Sequence, residues 1–122
     1  MDANSNENLV DFSYVMELGG GKPGFLKQVL TIFMENTPPG IKNLEDLIRN
    51  TSKWDAISKQ AHALKSSVDI IKIHGMRDKL YQIELLAKAK KDKPVIKNIL
   101  DEILADFSKA EEIIKEKMEE VS

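Results

Sequence analysis

Apolar residues recur every three or four positions along most of this chain, and this spacing constrains the fold more than any other feature. On an α-helix such residues form one continuous stripe, whereas a half-buried strand would show strict alternation, which no segment shows. One clear stripe consists of Trp54, Ile57, Ala61, Leu64, Val68 and Ile71. The sequence therefore predicts an all-α protein in which each helix buries one side.

Glycine, proline and short polar clusters mark the expected helix ends. A short first helix within 9–18 should stop at the three glycines 19–21, because glycine resists helix formation. A second helix beginning at Pro23 should end before Thr37, which is expected to cap a new helix with Pro38 in its first turn. Such helices, joined by short polar connections, pack most economically as an antiparallel, up-down four-helix bundle, here with a short additional N-terminal helix.

Length and charge narrow the class of protein further. A chain of 122 residues suits one domain. We expect a flexible N-terminal segment at 1–8, a helical bundle at 9–118 and a frayed C-terminus at 119–122. With 18 Lys and Arg against 20 Asp and Glu, the net charge of −2 lacks the basic excess of a nucleic-acid binder, so no nucleic-acid partner is expected.

The absence of certain residues excludes several kinds of site. The sequence has no Cys, which rules out disulfides, cysteine zinc sites and thiol nucleophiles. No apolar run approaches the roughly 20 residues of a membrane span, and the N-terminal residues do not resemble a signal peptide. We therefore expect a soluble, cytoplasmic monomer that does not insert into a membrane.

The polar face of the helix expected from Lys53 to Ile73 centres on His62. At about 100° per residue, the side chains that fall within roughly 60° of this histidine include two lysines and a small serine. A neutral imidazole, with a usual pKa of about 6.5, offers a ring nitrogen lone pair to an electrophile such as a phosphoryl group, whose oxygens nearby ammonium groups can stabilise. The residues of this face are Asp55, Ser58, Lys59, His62, Lys65, Ser66 and Asp69, and Ile73 projects to the same side.

The segment around this histidine resembles a known signature. The string Ala61-His62-Ala63-Leu64-Lys65-Ser66-Ser67, with Lys59 three residues before the histidine, is similar to the H-x-L-K-G-S motif of histidine-containing phosphotransfer (HPt) domains. The likeness is sharpest over 59–67 and looser over 9–118. It implies an antiparallel helical bundle in which His62 accepts a phosphoryl group from a receiver-domain aspartyl phosphate and passes it to another receiver.

The resemblance also implies roles for the neighbours of His62. Lys65 would attend the phosphoryl group, with Lys59 as a second cation, while Ser66, Ser58, Asp55 and Asp69 would lie on the face that admits the partner. Receiver domains of response regulators or hybrid histidine kinases would be the partners.

Two residues depart from the HPt pattern. Ser66 stands where the family usually has glycine, which narrows access to the histidine. Lys72 stands where a glycine is common ten residues after the histidine, so that either the helix runs further or a packing contact is replaced. Asp69 would oppose a phosphoryl group unless it is paired with Lys65 or Lys72.

The sequence contains no nucleotide-binding or kinase motif, so we expect a phosphorelay intermediate and not an enzyme. No cofactor or metal is expected in this chain, and Mg²⁺ would come with the receiver domain. If the chain is part of a larger hybrid kinase, it would be tethered to the membrane through that protein.

The alternative to a phosphotransfer function is a non-catalytic helical bundle that binds receivers or dimerises without accepting phosphate. His74, beside Gly75, is expected to be an exposed turn residue.

Overall fold

The computed structural model describes residues 9–121, which form five α-helices and no strand. A short helix α1 is followed by two long helices and two shorter ones that pack around a single apolar core. The helices are α1 (Ser13–Leu18), α2 (Pro23–Asn50), α3 (Trp54–Ile70), α4 (Met76–Ala89) and α5 (Lys93–Glu120). The prediction of an all-α protein is confirmed, and the segment 1–8 lies outside the described residues.

Helix α2 runs through Pro38 and Pro39, so the predicted helix break at Thr37 is wrong. Each proline removes one N–H donor from the helix, which normally ends or kinks it. Here the buried stripe continues on both sides of the prolines, with Thr37 itself only 2% exposed. Because apolar burial on either side outweighs two missing hydrogen bonds, tertiary packing keeps one helix where local sequence predicts two. The stripe consists of Leu26, Leu30, Phe33, Thr37, Ile41, Leu44 and Ile48.

The side of α3 that packs against the core is the side that the sequence predicts to be buried. Of the predicted stripe, the residues from Ile57 onward are all buried, and Trp54 at the first turn is partly buried against the same core. Gly40 lets α2 approach this helix closely, since a Cβ at that position would lie 2.9 Å from Leu64 Cδ2. Gln60 Nε2 also donates a 2.9 Å hydrogen bond to the Gly40 carbonyl. These contacts fix the side of α3 that stays exposed.

Helix α3 ends at Ile70, earlier than predicted. Lys72 has a φ of 48°, a left-handed conformation in which glycine is favoured, so a glycine-type position is filled by lysine and the helix does not run further. The chain then turns, and Ile73 pairs with Val10 in an isolated antiparallel bridge. Ile73 is only 3% exposed, which corrects its predicted place on the face of His62. Its helical projection fails because it lies beyond the helix.

The last helix extends to Glu120, two residues past the predicted boundary at 118. Its buried residues face the same core as α2, and the Phe33 and Phe107 rings lie 6.2 Å apart between centroids. No helix within residues 9–121 is long and apolar enough to cross a membrane.

The end of α4 offers a test of this backbone geometry. Lys90 adopts a φ of 54° while its N–H and that of Lys91 donate to the last carbonyls of the helix. Glycine takes this conformation without the steric cost of a Cβ, so we expect Lys90→Gly to raise the free energy of unfolding by about 0.5–1 kcal/mol in urea denaturation. Lys90→Ala removes the same charge but keeps the Cβ, and an equal rise in that variant would contradict the backbone explanation.

Candidate functional site

His62 lies in the middle of α3 with 67% of its side chain exposed. Its Nδ1 atom is 2.9 Å from Oε2 of Glu84, which comes from the facing helix α4. The imidazole is therefore held at one nitrogen by a neighbouring helix, while most of the ring faces solvent. The predicted exposed histidine is confirmed, but the acidic partner was not predicted.

Glu84 is buried, with a side chain only 4% exposed, and three basic side chains converge on its carboxylate. Lys65 Nζ lies 2.7 Å from Oε1, and Lys88 Nζ lies 3.4 Å from Oε2, in addition to the His62 contact. Burial raises the pKa of Glu84, but hydrogen bonds from Lys65, His62 and Lys88 outweigh it and hold the pKa below its ordinary value of 4.5. The carboxylate therefore stays ionised at neutral pH.

The contact with Glu84 sets the tautomer of the neutral imidazole. An ionised carboxylate can only accept a hydrogen bond, so Nδ1 of His62 must carry the proton. In the neutral ring the other nitrogen, Nε2, then has the lone pair. The geometry thus prepares Nε2 as the nucleophilic atom.

Two lysines line the surface beside this histidine. Lys59 and Lys88 border a depression of about 330 Å³ together with His62, Glu84 and Ser58. Both lysines are exposed, and within residues 9–121 Lys59 has no carboxylate within ion-pair distance. These two ammonium groups are the ones placed to meet an anion that approaches the depression.

Lys65 occupies a different place from the one that the HPt resemblance implies. Its side chain is only 13% exposed, its ammonium pairs with Glu84, and it lies 4.6 Å from the centre of the Tyr81 ring. The ammonium group of Lys65 therefore contacts a buried carboxylate and does not lie on the open face. Its clearest role is to keep Glu84 ionised beneath His62.

The remaining predicted face residues divide between surface and interior. Ser66 and Asp55 are exposed, as expected for an accessible face. Ser58 is 5% exposed and donates a 3.3 Å hydrogen bond to the Glu84 carbonyl, which corrects its predicted place on the partner face. It lies at the floor of the depression because α4 packs over that side of α3.

Asp69 lies two turns beyond His62 and is paired with cations. Its Oδ2 atom is 3.4 Å from Lys72 Nζ and 4.0 Å from Arg77 Nε. Of the two partners that the sequence left open for Asp69, the structure therefore pairs it with Lys72. His74 is exposed, and its backbone N–H donates to the Leu9 carbonyl.

Glu84 and Lys88 were not predicted as site residues. Glu84 follows the apolar residue Ile83 on α4, and an acid beside a buried position was the only available signal for it. Lys88 lies in the last turn of α4, one turn after Glu84, and approaches the same carboxylate. No group of three or more residues that could hold a metal ion occurs in the described part of the chain.

The buried carboxylate predicts a pH-dependent contribution to stability. A glutamate whose pKa is lowered by folding contributes fully at pH values above its ordinary pKa, and the contribution is lost as the pH falls through the folded-state pKa. We expect Glu84→Gln to lower the free energy of unfolding by about 1–3 kcal/mol at pH 7, because Lys65 loses its counter-charge. Urea denaturation should show this difference shrink as the pH falls below 4.5, the ordinary pKa of a glutamate.

The matched control is Glu120→Gln. Glu120 pairs with Lys117 on the surface, so its loss should cost less than about 0.5 kcal/mol. A Glu84→Gln cost that is the same at pH 7 and in acid would show that packing, and not charge, explains the effect.

Comparisons with known proteins do not assign this chain to a family. Searches against protein-family models, curated proteins and solved structures found no match. The function is therefore inferred from the geometry around His62 and from the motif in which this histidine lies.

Proposed function

We propose that this chain is the phosphotransfer module of a multistep two-component phosphorelay. His62 would accept a phosphoryl group from the aspartyl phosphate of one receiver domain and pass it to another receiver. The observation that carries this proposal is the exposed imidazole whose Nδ1 is bound to the buried Glu84 carboxylate. This contact holds the proton on Nδ1 and leaves the lone pair on Nε2, the nitrogen that would attack a phosphoryl group.

The transfer step uses atoms that the site already positions. The Nε2 lone pair of His62 attacks the phosphorus, an N–P bond forms, and the P–O bond to the donor aspartate breaks with its electron pair going to the aspartate carboxylate. Nδ1 keeps its proton throughout, so the ring becomes positively charged. Glu84, 2.9 Å from Nδ1, stabilises that charge as it develops. The reverse attack by an acceptor aspartate returns the neutral imidazole.

The phosphoryl oxygens require positive charge during this step. Lys59 and Lys88 border the depression beside His62 and supply it from this chain. The Mg²⁺ that phosphoryl transfer needs would be bound by carboxylates of the receiver, as the HPt resemblance implies. This chain would therefore contribute the nucleophile and two ammonium groups, and it needs no bound cofactor.

The fold supports this function through its exposed α3 face. We infer an up-down four-helix bundle made of α2 to α5, with α1 as the additional short helix. In support, α2 packs on α3, α3 on α4, α4 on α5, and α5 on α2. The open side of α3 carries Ser66, which is exposed and small enough to let a partner approach. A cytoplasmic monomer is proposed, since both the donor and the acceptor must reach this face.

A non-catalytic receiver-binding bundle remains the second candidate, because Ser66 places a hydroxyl one turn from the imidazole where the HPt motif has glycine. The other departure does not favour it. Lys72 adopts the backbone conformation of a glycine and does not lengthen the helix.

Replacing His62 is the direct test of the proposal. Receiver domains phosphorylated with radiolabelled acetyl phosphate are incubated with the chain, and label on the chain is followed by gel electrophoresis. We expect transfer to the wild type as an acid-labile, base-stable phosphate, no transfer to His62→Gln, and unchanged transfer to His74→Gln. Label that persists in His62→Gln would end the assignment, whereas receiver binding without phosphohistidine would favour the non-catalytic alternative.

The two surface lysines provide a separate test of the chemistry. Phosphoramidate is a small donor that needs no docking surface, so its rate of reaction with His62 reports the local site. We expect the double variant Lys59→Ala, Lys88→Ala to react about tenfold more slowly, because two cations near the phosphoryl oxygens are lost. The matched control is Lys27→Ala, Lys115→Ala, which removes two exposed lysines elsewhere.

Lys65 should behave differently from these two lysines. Its ammonium is paired with Glu84, so Lys65→Met is expected to lower the free energy of unfolding by about 1–3 kcal/mol.

If the double variant Lys59→Ala, Lys88→Ala reacts with phosphoramidate at the wild-type rate, then Lys59 and Lys88 do not attend the phosphoryl group.

A further inference from the structure

Lysines line three adjoining depressions that begin at His62 and continue toward the end of the molecule formed by the α2–α3 and α4–α5 connections. The first depression contains Lys59 and Lys88, and the second shares Lys59 with the first. The third shares Ser52 with the second, so the three form one continuous surface. We call this surface the basic strip, and its lysines are Lys53, Lys59, Lys88, Lys90, Lys93 and Lys97.

The positive charge of the basic strip is poorly compensated. Its depressions contain two carboxylates, Asp55 and Glu84, against six lysines, and Glu84 is shared between Lys88 of the strip and the partly buried Lys65. Burial and then the nearby charge of Lys97 lower the pKa of Lys93, which is a sign of repulsion between cations.

Several lysines elsewhere on the molecule are paired with acids. Lys42, Lys79 and Lys117 each have a carboxylate within 4 Å. Within residues 9–121, one strip lysine, Lys88, has such an ion pair and the other five do not, and these are Lys53, Lys59, Lys90, Lys93 and Lys97. The strip therefore concentrates positive charge that a partner can neutralise.

We propose that the basic strip is a docking surface for an acidic protein face, namely the rim of carboxylates around the aspartyl phosphate of the donor receiver. This inference rests on the proposed function. The described residues of this chain contain no group that could hold Mg²⁺, so the partner must bring both the metal-binding carboxylates and the phosphoryl group to His62. Such a face is negatively charged. The basic strip begins at His62, which is the point where this face must dock.

The dimensions of the strip suit a single protein interface. Nine residues separate Lys53 from His62, which is about 13 Å along the helix at 1.5 Å per residue. A standard interface of about 800 Å² per partner spans both positions. Complementary charge at this distance raises the rate of encounter, which suits a partner that binds briefly and leaves.

The overall charge argues for an acidic protein face over a nucleic acid. The whole chain carries a net charge of −2 although the strip holds six lysines and two carboxylates, so the residues outside the strip are net negative as a group. A long polyanion would extend beyond the strip over this net negative remainder, whereas a partner that is acidic at one face would not.

Charge reversal in the second depression, which His62 does not line, tests this proposal without touching the site chemistry. The variant is Lys53→Glu, Lys90→Glu, and the matched control is Lys27→Glu, Lys115→Glu, which changes the net charge by the same amount at exposed positions outside the strip. Transfer from a phosphorylated receiver domain is measured at limiting receiver concentration in 50 mM and 300 mM NaCl. Reaction with phosphoramidate is measured in parallel as a readout of His62 alone.

We expect the strip variant to lose about tenfold in transfer rate at 50 mM NaCl and much less at 300 mM, because salt screens the encounter. The control variant should lose less than twofold, and both variants should react with phosphoramidate at the wild-type rate. Equal losses in the two variants would overturn the docking surface while leaving the proposed function intact. Failure of the wild type to react at His62 with any donor would instead overturn the proposed function.

A binding measurement covers the case in which transfer is too slow to follow. Receiver domains loaded with Mg²⁺ and beryllofluoride, which mimics the aspartyl phosphate, are titrated into the ¹⁵N-labelled chain and followed by NMR. Shifts at the strip that vanish in the strip variant support the proposal. Shifts confined to another surface, no binding by any receiver, or tighter binding of the strip to a 20-base-pair DNA duplex overturn it.

Discussion

The site depends on one buried carboxylate. Glu84 is held between α3 and α4, where an unpaired negative charge would be strongly unfavourable. It is tolerated because His62 and Lys65 approach it from α3 and Lys88 approaches it from one turn along its own helix. The same contacts that neutralise the carboxylate also fix which imidazole nitrogen faces solvent. The contact between Glu84 and His62 therefore helps to neutralise the buried carboxylate and also sets the tautomer of the imidazole.

The packing of α3 against α4 makes this interaction possible. These two helices pack extensively on each other, and Ala61 on α3 and Ala87 on α4 are both fully buried. The buried Ser58 hydroxyl adds a hydrogen bond to the Glu84 carbonyl, which ties the two helices together directly below the site. A change in the register of α4 by one residue would rotate the carboxylate away from His62 by about 100°. The core therefore sets the geometry of the exposed site.

Much of the fold could be predicted from periodicity, and the exceptions have physical causes. The stripe from Ile57 to Ile71 and the exposed position of His62 follow from spacing along one helix. The continuity of α2 through Pro38 could not be predicted, because the packing that sustains it comes from other helices. Glu84 was missed for a related reason. Its partners are 19 and 22 residues away in sequence, and only the pairing of α3 with α4 brings Lys65 and His62 to it.

Lysines at different places around His62 have different physical roles. Lys65 contacts the buried Glu84, while Lys59 and Lys88 border the same depression as the imidazole, where the proposed transfer would bring the phosphoryl oxygens. Lys53, about 13 Å along the helix, lies beyond the Debye length of about 8 Å at physiological salt. At that range its charge contributes little to the reacting atoms, so it can change only how often a charged partner arrives. Under the proposed function, the lysines therefore divide into those that would meet the phosphoryl group and those that would guide the partner to it.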